Sequence, residues 1–395
     1  MTTKRRVLVV ARHYWPSTTD RTLRLRAWVK QLSQQGYQPT IATPRWHTSW
    51  PSRIVCEDIA VERIDAPPTS ELRSSRYGRE LAAWATQQLE HTDFIYCDAA
   101  DGDAYALVTQ LPKNSRTPVV VRFDPRELAS AATLPHIGAW RPSPKTMEAC
   151  RRATAVVVPS SFAHQLLLAA GCEPSIIHRV PDAVGNKLDR SSASRTAARM
   201  SLANINHDLF VRSHDKVLVC PGELTREWGV DLLINALAPL LEEQRSVKLW
   251  ILGDSIERGR IYEALQFHSL HRIVSMPGAF TDVDQVLQAA DMCLFPAVGC
   301  GLGWLLPTCV ASSIPVLAAD SPELRAEFGP LADPICFRAN DPRELEVRVR
   351  RWIRNPKATE LTVTAAREAL VNHTDNGGAA RTLATLLRAR VLQTG

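Results

Sequence analysis

No apolar run in this chain approaches the roughly 18 residues that a membrane-crossing helix needs, so an integral membrane protein is not expected. CxxC spacing is absent, and none of the clustered cysteines Cys293, Cys300 and Cys309 has a nearby histidine at metal-ligand spacing. No metal site is therefore expected. Low-complexity tracts and short-period repeats are missing, which excludes solenoid and fibrous classes. A dense basic patch is missing too, so no nucleic-acid partner is expected. Aromatic residues make up only 6% and charged residues 22%, against 45% hydrophobic, which is the profile of a globular protein with sizeable cores.

What is present fits 395 residues folded as two domains of nearly equal size. Nine cysteines, an odd number, several of them in apolar strand-like runs, read as small core residues of a reduced, cytoplasmic protein. The N-terminal apolar run VLVVA is five residues long, short of a signal-peptide core of about 7–15, and reads as a first buried strand. Net charge is +6, and it is uneven. Residues 1–180 hold 23 Lys/Arg and 16 Asp/Glu, a balance of +7; the remainder holds 24 and 25, a balance of −1. The basic first half suits contact with an anionic membrane surface, on the inner face, or with an acidic acceptor. A solvated basic surface is the plain alternative.

Strand-like and helix-like segments alternate along the chain. VLVVA, PTIAT, FIYCDA, PVVVRF and ATAVVVPS are strand candidates, separated by helical stretches at about 21–36, 70–91, 102–110 and 144–152. Continuous apolar strands joined by helices imply a parallel sheet covered on both faces. The pattern breaks between Asp182 and His214, which is polar and rich in Ser, Asn and Arg, with a short helix near Thr196–Leu202. A second series follows: KVLVCPG, VKLWILGD, IVSMPG, MCLFPA and PVLAAD alternate with helices, and a helical tail runs to near Gln393. The expected domains are 1–182, a linker over 183–215, and 216–395, with the last helix expected to cross back to the first domain. Two doubly wound α/β domains bind ligands at the carboxyl ends of their strands, here in the cleft where they face one another.

Five segments in order resemble the group 1 glycosyltransferases, retaining nucleotide-sugar-dependent enzymes of the GT-B fold. They are VLVVARHYWPS, VVVPSSFAHQLLLAAGCEPSIIHRVPDAV, PGELTREWGVDLLINAL, ILGDSIER and AADMCLFPAVGCGLGWLLPTCVASSIPVLAAD. The resemblance implies transfer of a sugar from a nucleotide diphosphate to a glycan or lipid-linked acceptor, with no metal and no other cofactor. The departing diphosphate must be neutralised as the glycosidic bond breaks. In the family an Arg and a Lys after the first strand of the second domain do this, together with backbone N–H groups of a glycine loop. Two glutamates hold the donor sugar and the ribose.

At the matching positions this chain carries Glu223 for the Arg, Trp228 for the Lys, and Cys300 and Thr308 for the glutamates. A family histidine in the first domain is replaced by Asp124, and the first Gly-Gly by Thr18-Thr19. A carboxylate at 223 would repel a diphosphate by roughly several kcal/mol in a low-dielectric site. The glycines Gly222, Gly229, Gly253, Gly301 and Gly303 keep the scaffold, with Leu302 between the last two and Pro307 expected in the first turn of the next helix.

Arg226, in the loop that lost the cationic pair, is the expected substitute for diphosphate binding; an exposed loop arginine is the alternative. Arg12 and His13 follow the first strand and are expected to face the cleft, where His13 could assist at the acceptor or phosphate; a packed or exposed structural histidine is the alternative. Arg122 and Asp124 end another strand, where Asp124 could accept a proton; an ion pair of Asp124 with Arg122 or Arg126 is the alternative. Trp15 and Trp228 could stack on a sugar ring or base; packing in the core is the alternative. Two functions fit: a sugar transferase with a diverged donor site, or a catalytically inactive relative that partners or regulates another transferase.

Overall fold

The computed structural model describes residues 5–65, 67–125, 142–182, 184–185, 187–224, 228–255, 257–297, 302–371 and 385. The chain forms two compact units. Among the described residues the first takes in the chain up to Ser17 and from Arg24 to Asp182. The second takes in Thr18–Leu23 and continues from Val184.

The first unit is built on an eight-stranded sheet. Its strands are β1 (Arg5–Val10), β2 (Tyr37–Pro44), β3 (Arg53–Cys56), β4 (Ile59–Ile64), β5 (Phe94–Cys97), β6 (Val119–Arg122), β7 (Ala155–Val158) and β8 (Ile177–Arg179). Their order is β3-β4-β2-β1-β5-β6-β7-β8, and only β3 runs antiparallel. Alternation along each strand feeds two cores. Leu8, Val10, Ile95, Val121 and Val156 bury on one face; Val7, Val9, Phe94, Tyr96 and Val120 bury on the other. The helices α1 (Asp20–Gln34), α2 (Glu71–Gln88), α3 (Gly102–Gln110), α4 (Pro144–Arg152) and α5 (Ser161–Ala169) alternate with the strands. Local chemistry sets several starts. Asp101 accepts the N–H groups of Asp103 and Ala104, Ser143 that of Thr146, and Ser160 that of Ala163. The hairpin β3–β4 has no counterpart in the apolar-run pattern; its strand β3 is a half-exposed edge.

The second unit carries six parallel strands in the order β11-β10-β9-β12-β13-β14. They are β9 (Lys216–Cys220), β10 (Val247–Leu252), β11 (Val274–Gly278), β12 (Met292–Phe295), β13 (Val316–Ala319) and β14 (Cys336–Phe337). Helices α6 (Ser192–Ile205), α7 (Val230–Glu243), α8 (Arg258–Phe267), α9 (Asp284–Ala289), α10 (Leu305–Ala311), α11 (Pro322–Phe328), α12 (Ala332–Ile335), α13 (Pro342–Arg354) and α14 (Pro356–Val371) complete it. Leu218, Leu249, Ile251 and Leu294 of the sheet pack with Leu233, Leu237 and Leu241 of α7. The polar stretch after Asp182 is folded into this unit. Arg190 donates to the carbonyls of Leu287, Gln288 and Ala290, closing the end of α9. Arg199 pairs with Asp291 at 2.7 Å, and Arg195 pairs with the same carboxylate. The tail beyond α14, where a helix was expected to cross back, lies outside the described residues apart from position 385.

Each sheet has one point where the chain turns from winding outward on one side to winding on the other. In the first it lies between β1 and β5; in the second, between β9 and β12. Ligands of doubly wound sheets bind outside the carboxyl ends of strands at such points.

Candidate functional site: a closed glycine frame in the second unit

At the end of β9 the chain turns through Pro221 and Gly222, whose φ of 128° is accessible only to glycine. Trp228 folds back over this turn. Its indole N–H donates to the Pro221 carbonyl at 2.9 Å, and a Cβ at position 222 would lie 2.3 Å from the indole ring. The ring expected to face a ligand is thus packed onto its own loop. After β10, Gly253 (φ 104°) presses against the same turn; a Cβ there would be 2.5 Å from the Gly222 carbonyl oxygen. Gly229, which opens α7, approaches Pro296 at the end of β12, where a Cβ would meet backbone at 2.8 Å. The glycine frame is intact and tightly closed upon itself. Glu223 is half-buried within it. Arg226, Cys300 and Gly301 lie outside the described residues, and so does Arg126.

The turn that enters α10 is occupied by carboxylates. Asp20, 2% exposed, accepts the Leu305 N–H at 2.7 Å and the Trp304 N–H at 3.0 Å. Glu323, equally buried, accepts the Leu302 N–H at 3.1 Å. Of the glycine-loop amides expected for a diphosphate, that of Leu302 already holds a protein carboxylate, and the Trp304 and Leu305 amides that follow the loop hold another. Gly303 (φ 57°) supplies the turn between them, and Pro307 sits in the first turn of α10 as expected. Asp20 is aimed by its neighbour: Thr19, which stands where the family has glycine, accepts the Thr22 N–H at 3.3 Å and so caps α1.

Thr308, expected at the ribose, is fully buried. Its hydroxyl donates to the Trp304 carbonyl at 2.7 Å and accepts the Gly185 N–H at 2.9 Å. That hydroxyl is a tie between α10 and the segment after Asp182, out of reach of a ligand. Among the described residues a cavity of about 10 Å³ is lined by Thr18, Leu23, Gly222, Gly253, Phe280 and Leu305. That is room for about one water.

The other expected site residues lie in the first unit. Arg122 and Asp124, each 2% exposed, form an ion pair at 2.7 Å. Arg122 also reaches Asp182 at 2.6 Å, and Arg24 holds Asp98 at 2.6 Å. Burial pushes the Asp98 carboxyl up, against the pull of Arg24 and Arg122. Burial also disfavours charge on Arg122, yet Asp182 and Asp124 outweigh it and keep the guanidinium firmly protonated. Asp124 is thus engaged as a buried counter-ion rather than offered as a base. Arg12 lies beside the β1/β5 point, 3.1 Å from Asp101 and 3.0 Å from Asp103. Burial and the Asp101 charge push Asp103 up to about 7, against Arg12. His13 is exposed and stacks on Trp46 at 5.1 Å, while the Trp46 indole donates to the Arg12 carbonyl. Trp15 is half-buried against the core.

Residues 215–355, which contain the whole glycine frame, match the family model for glycosyl transferases group 1. The second unit is thus similar to the group 1 glycosyl transferases. No curated protein matches its sequence significantly. Solved structures extend the likeness in fold to both units. Sucrose-phosphate synthase from Thermosynechococcus elongatus is 15% identical over 98% of each chain, with a TM-score of 0.77. HepE of Anabaena, solved in complex with UDP-glucose, is 16% identical over 97% of this chain and 99% of that one, with a TM-score of 0.72. WaaG, a glycosyltransferase involved in lipopolysaccharide biosynthesis, is 16% identical over 96% and 99%, with a TM-score of 0.68. These likenesses establish the GT-B fold of two Rossmann-like α/β domains. No described helix is long and apolar enough to cross a membrane.

Asp20 and Glu323 are the site residues that sequence reading missed. The one local signal for Asp20 was an acidic residue in the first turn of a helix, which reads as ordinary helix chemistry.

Proposed function

We propose that this chain is a glycosyltransferase-family protein that does not use nucleotide-diphosphate sugars and acts as a non-catalytic partner of glycan assembly. The observation that carries this reading is the Asp20 carboxylate on the Trp304 and Leu305 amides. A diphosphate brought to those donors would meet a fixed negative charge. Glu223 would add a second, since it stands where a cation is needed. Trp228 fills the space over Gly222 that a phosphate would need. Binding energy and charge neutralisation are thus both removed from the step that expels the leaving group.

The test is turnover. Incubation with UDP-, GDP- and ADP-sugars, with and without glycan or lipid-linked acceptors, should release no nucleoside diphosphate above background. Release that scales with enzyme concentration would overturn the reading.

A second reading is favoured by the glycine frame. Gly222, Gly229 and Gly253 still adopt positive φ at sites where no other residue fits. On this reading the protein is a retaining transferase whose donor site opens when Asp20 withdraws, with Arg226 and the glycine-loop amides then holding the diphosphate. Arg226→Ala would lower turnover by about 10²-fold on this reading and leave it at background on the first.

A further inference from the structure

Helix α13 divides its arginines into two classes. Leu345, Val349 and Trp352 bury on its inner face. Arg348 pairs with Glu344, and Arg350 pairs with Glu243 and Glu346 at the flanks. Arg343, Arg351 and Arg354 are exposed and, among the described residues, have no carboxylate partner for their side chains. Val347, 62% exposed, lies among them. At about 100° per residue these four positions share an arc of roughly 80° opposite the buried face. A hollow of about 430 Å³ opens beside them, lined by Val347, Arg350, Arg351, Arg354 and Asn355.

Helix chemistry accounts for part of this pattern. Arg351 and Arg354 stand in the last turn, where cations are favoured. Arg343 stands in the first turn, next to Pro342 and the Asp341 cap, where a cation is disfavoured. The helix dipole therefore leaves the place of Arg343 on the same stripe unexplained. An apolar side chain between guanidinium groups suits a surface with phosphates above and acyl chains below.

We propose that the outward face of α13 docks on an anionic phospholipid surface, with lipid phosphates against Arg343, Arg351 and Arg354 and Val347 entering the headgroup boundary. The basic balance of residues 1–180 pointed to the first half of the chain for such contact, and the overall −1 of the remainder hides this stripe.

The full chain should sediment with vesicles made of equal parts phosphatidylcholine and phosphatidylglycerol, and not with phosphatidylcholine alone. The triple variant Arg343→Gln, Arg351→Gln, Arg354→Gln should lower the partition coefficient at least about tenfold. Val347→Asp should weaken binding with all arginines in place. A control variant, Arg79→Gln, Lys113→Gln, Arg116→Gln, removes the same charge from exposed positions of the first unit and should bind as the parent does. Equal loss in the control would show a net-charge effect and overturn the proposal. Retention of the parent by immobilised heparin without vesicle binding would also overturn it, because the stripe would then read soluble polyanions. Circular dichroism of each variant separates lost binding from lost fold.

Discussion

The Asp20 carboxylate lies 2.7 Å from the Leu305 amide nitrogen, joining residues on the far sides of the sequence at the start of α10. It also accepts from Trp304, so one side chain satisfies two buried donors. Asp20→Ala should leave both unpaired and destabilise the protein by about 2–4 kcal/mol, while Asp20→Asn should be milder because an amide oxygen still accepts. Urea unfolding of the two variants checks the order. Equal, negligible losses would mean the amides find other partners.

Thr308→Ala should cost about 1–3 kcal/mol, since the Gly185 N–H loses its partner in a buried place and the Trp304 carbonyl keeps only the backbone N–H of residue 308. The loss should appear as a lower melting temperature in calorimetry. A change confined to ligand affinity, with stability intact, would restore the ribose role that the position suggested.

Gly253→Ala and Gly259→Ala should move stability in opposite directions. The first forces a Cβ to 2.5 Å from the Gly222 carbonyl at φ 104° and should cost about 3 kcal/mol or more. The second lies in α8, has open space around its Cβ, and should gain up to about 1 kcal/mol from helix propensity. Chemical denaturation of the pair tests the closed frame against a general intolerance of substitution.

The Asp103 carboxyl, pushed up to about 7 by burial and by Asp101, makes stability depend on pH. Its folded value lies above the unfolded one of about 3.9, so the native state binds this proton more tightly. The contribution is present below about pH 4 and is lost as pH rises to about 7. Asp103→Asn keeps an acceptor for Arg12 and cannot ionise. The melting temperature of the variant relative to the parent should rise between these pH values and level off above. A pH-independent difference would show that Asp103 titrates in its ordinary range.

Runs such as Val7–Val10 and Val217–Cys220 announced buried parallel strands because both faces of each sheet are covered, and burial leaves a continuous apolar signature. The hairpin Arg53–Ile64 escaped notice because β3 is an exposed edge with no such run. The glycines were legible for a related reason: Gly222 and Gly253 stand where backbone meets backbone, and only one residue type fits. The closure of the site was not legible. Asp20 and Trp304 are 284 positions apart, and no local pattern encodes their meeting. Trp228 had the same ambiguity, since an indole after a strand can face a ligand or fold back; its N–H found the Pro221 carbonyl. The charge losses at 223 and 228 were visible in the sequence, whereas the carboxylates on the Leu302, Trp304 and Leu305 amides were visible only in the fold.

The central claim is that the protein's own groups occupy the place of a donor diphosphate. Isothermal titration with UDP, GDP and UDP-glucose tests it most directly. The parent should give no saturable heat at millimolar nucleotide. A variant carrying Asp20→Asn, Glu223→Arg and Trp228→Lys should bind, gaining roughly 1–3 kcal/mol for each charged hydrogen bond restored. Micromolar affinity of the unaltered protein for any of these ligands would contradict the account.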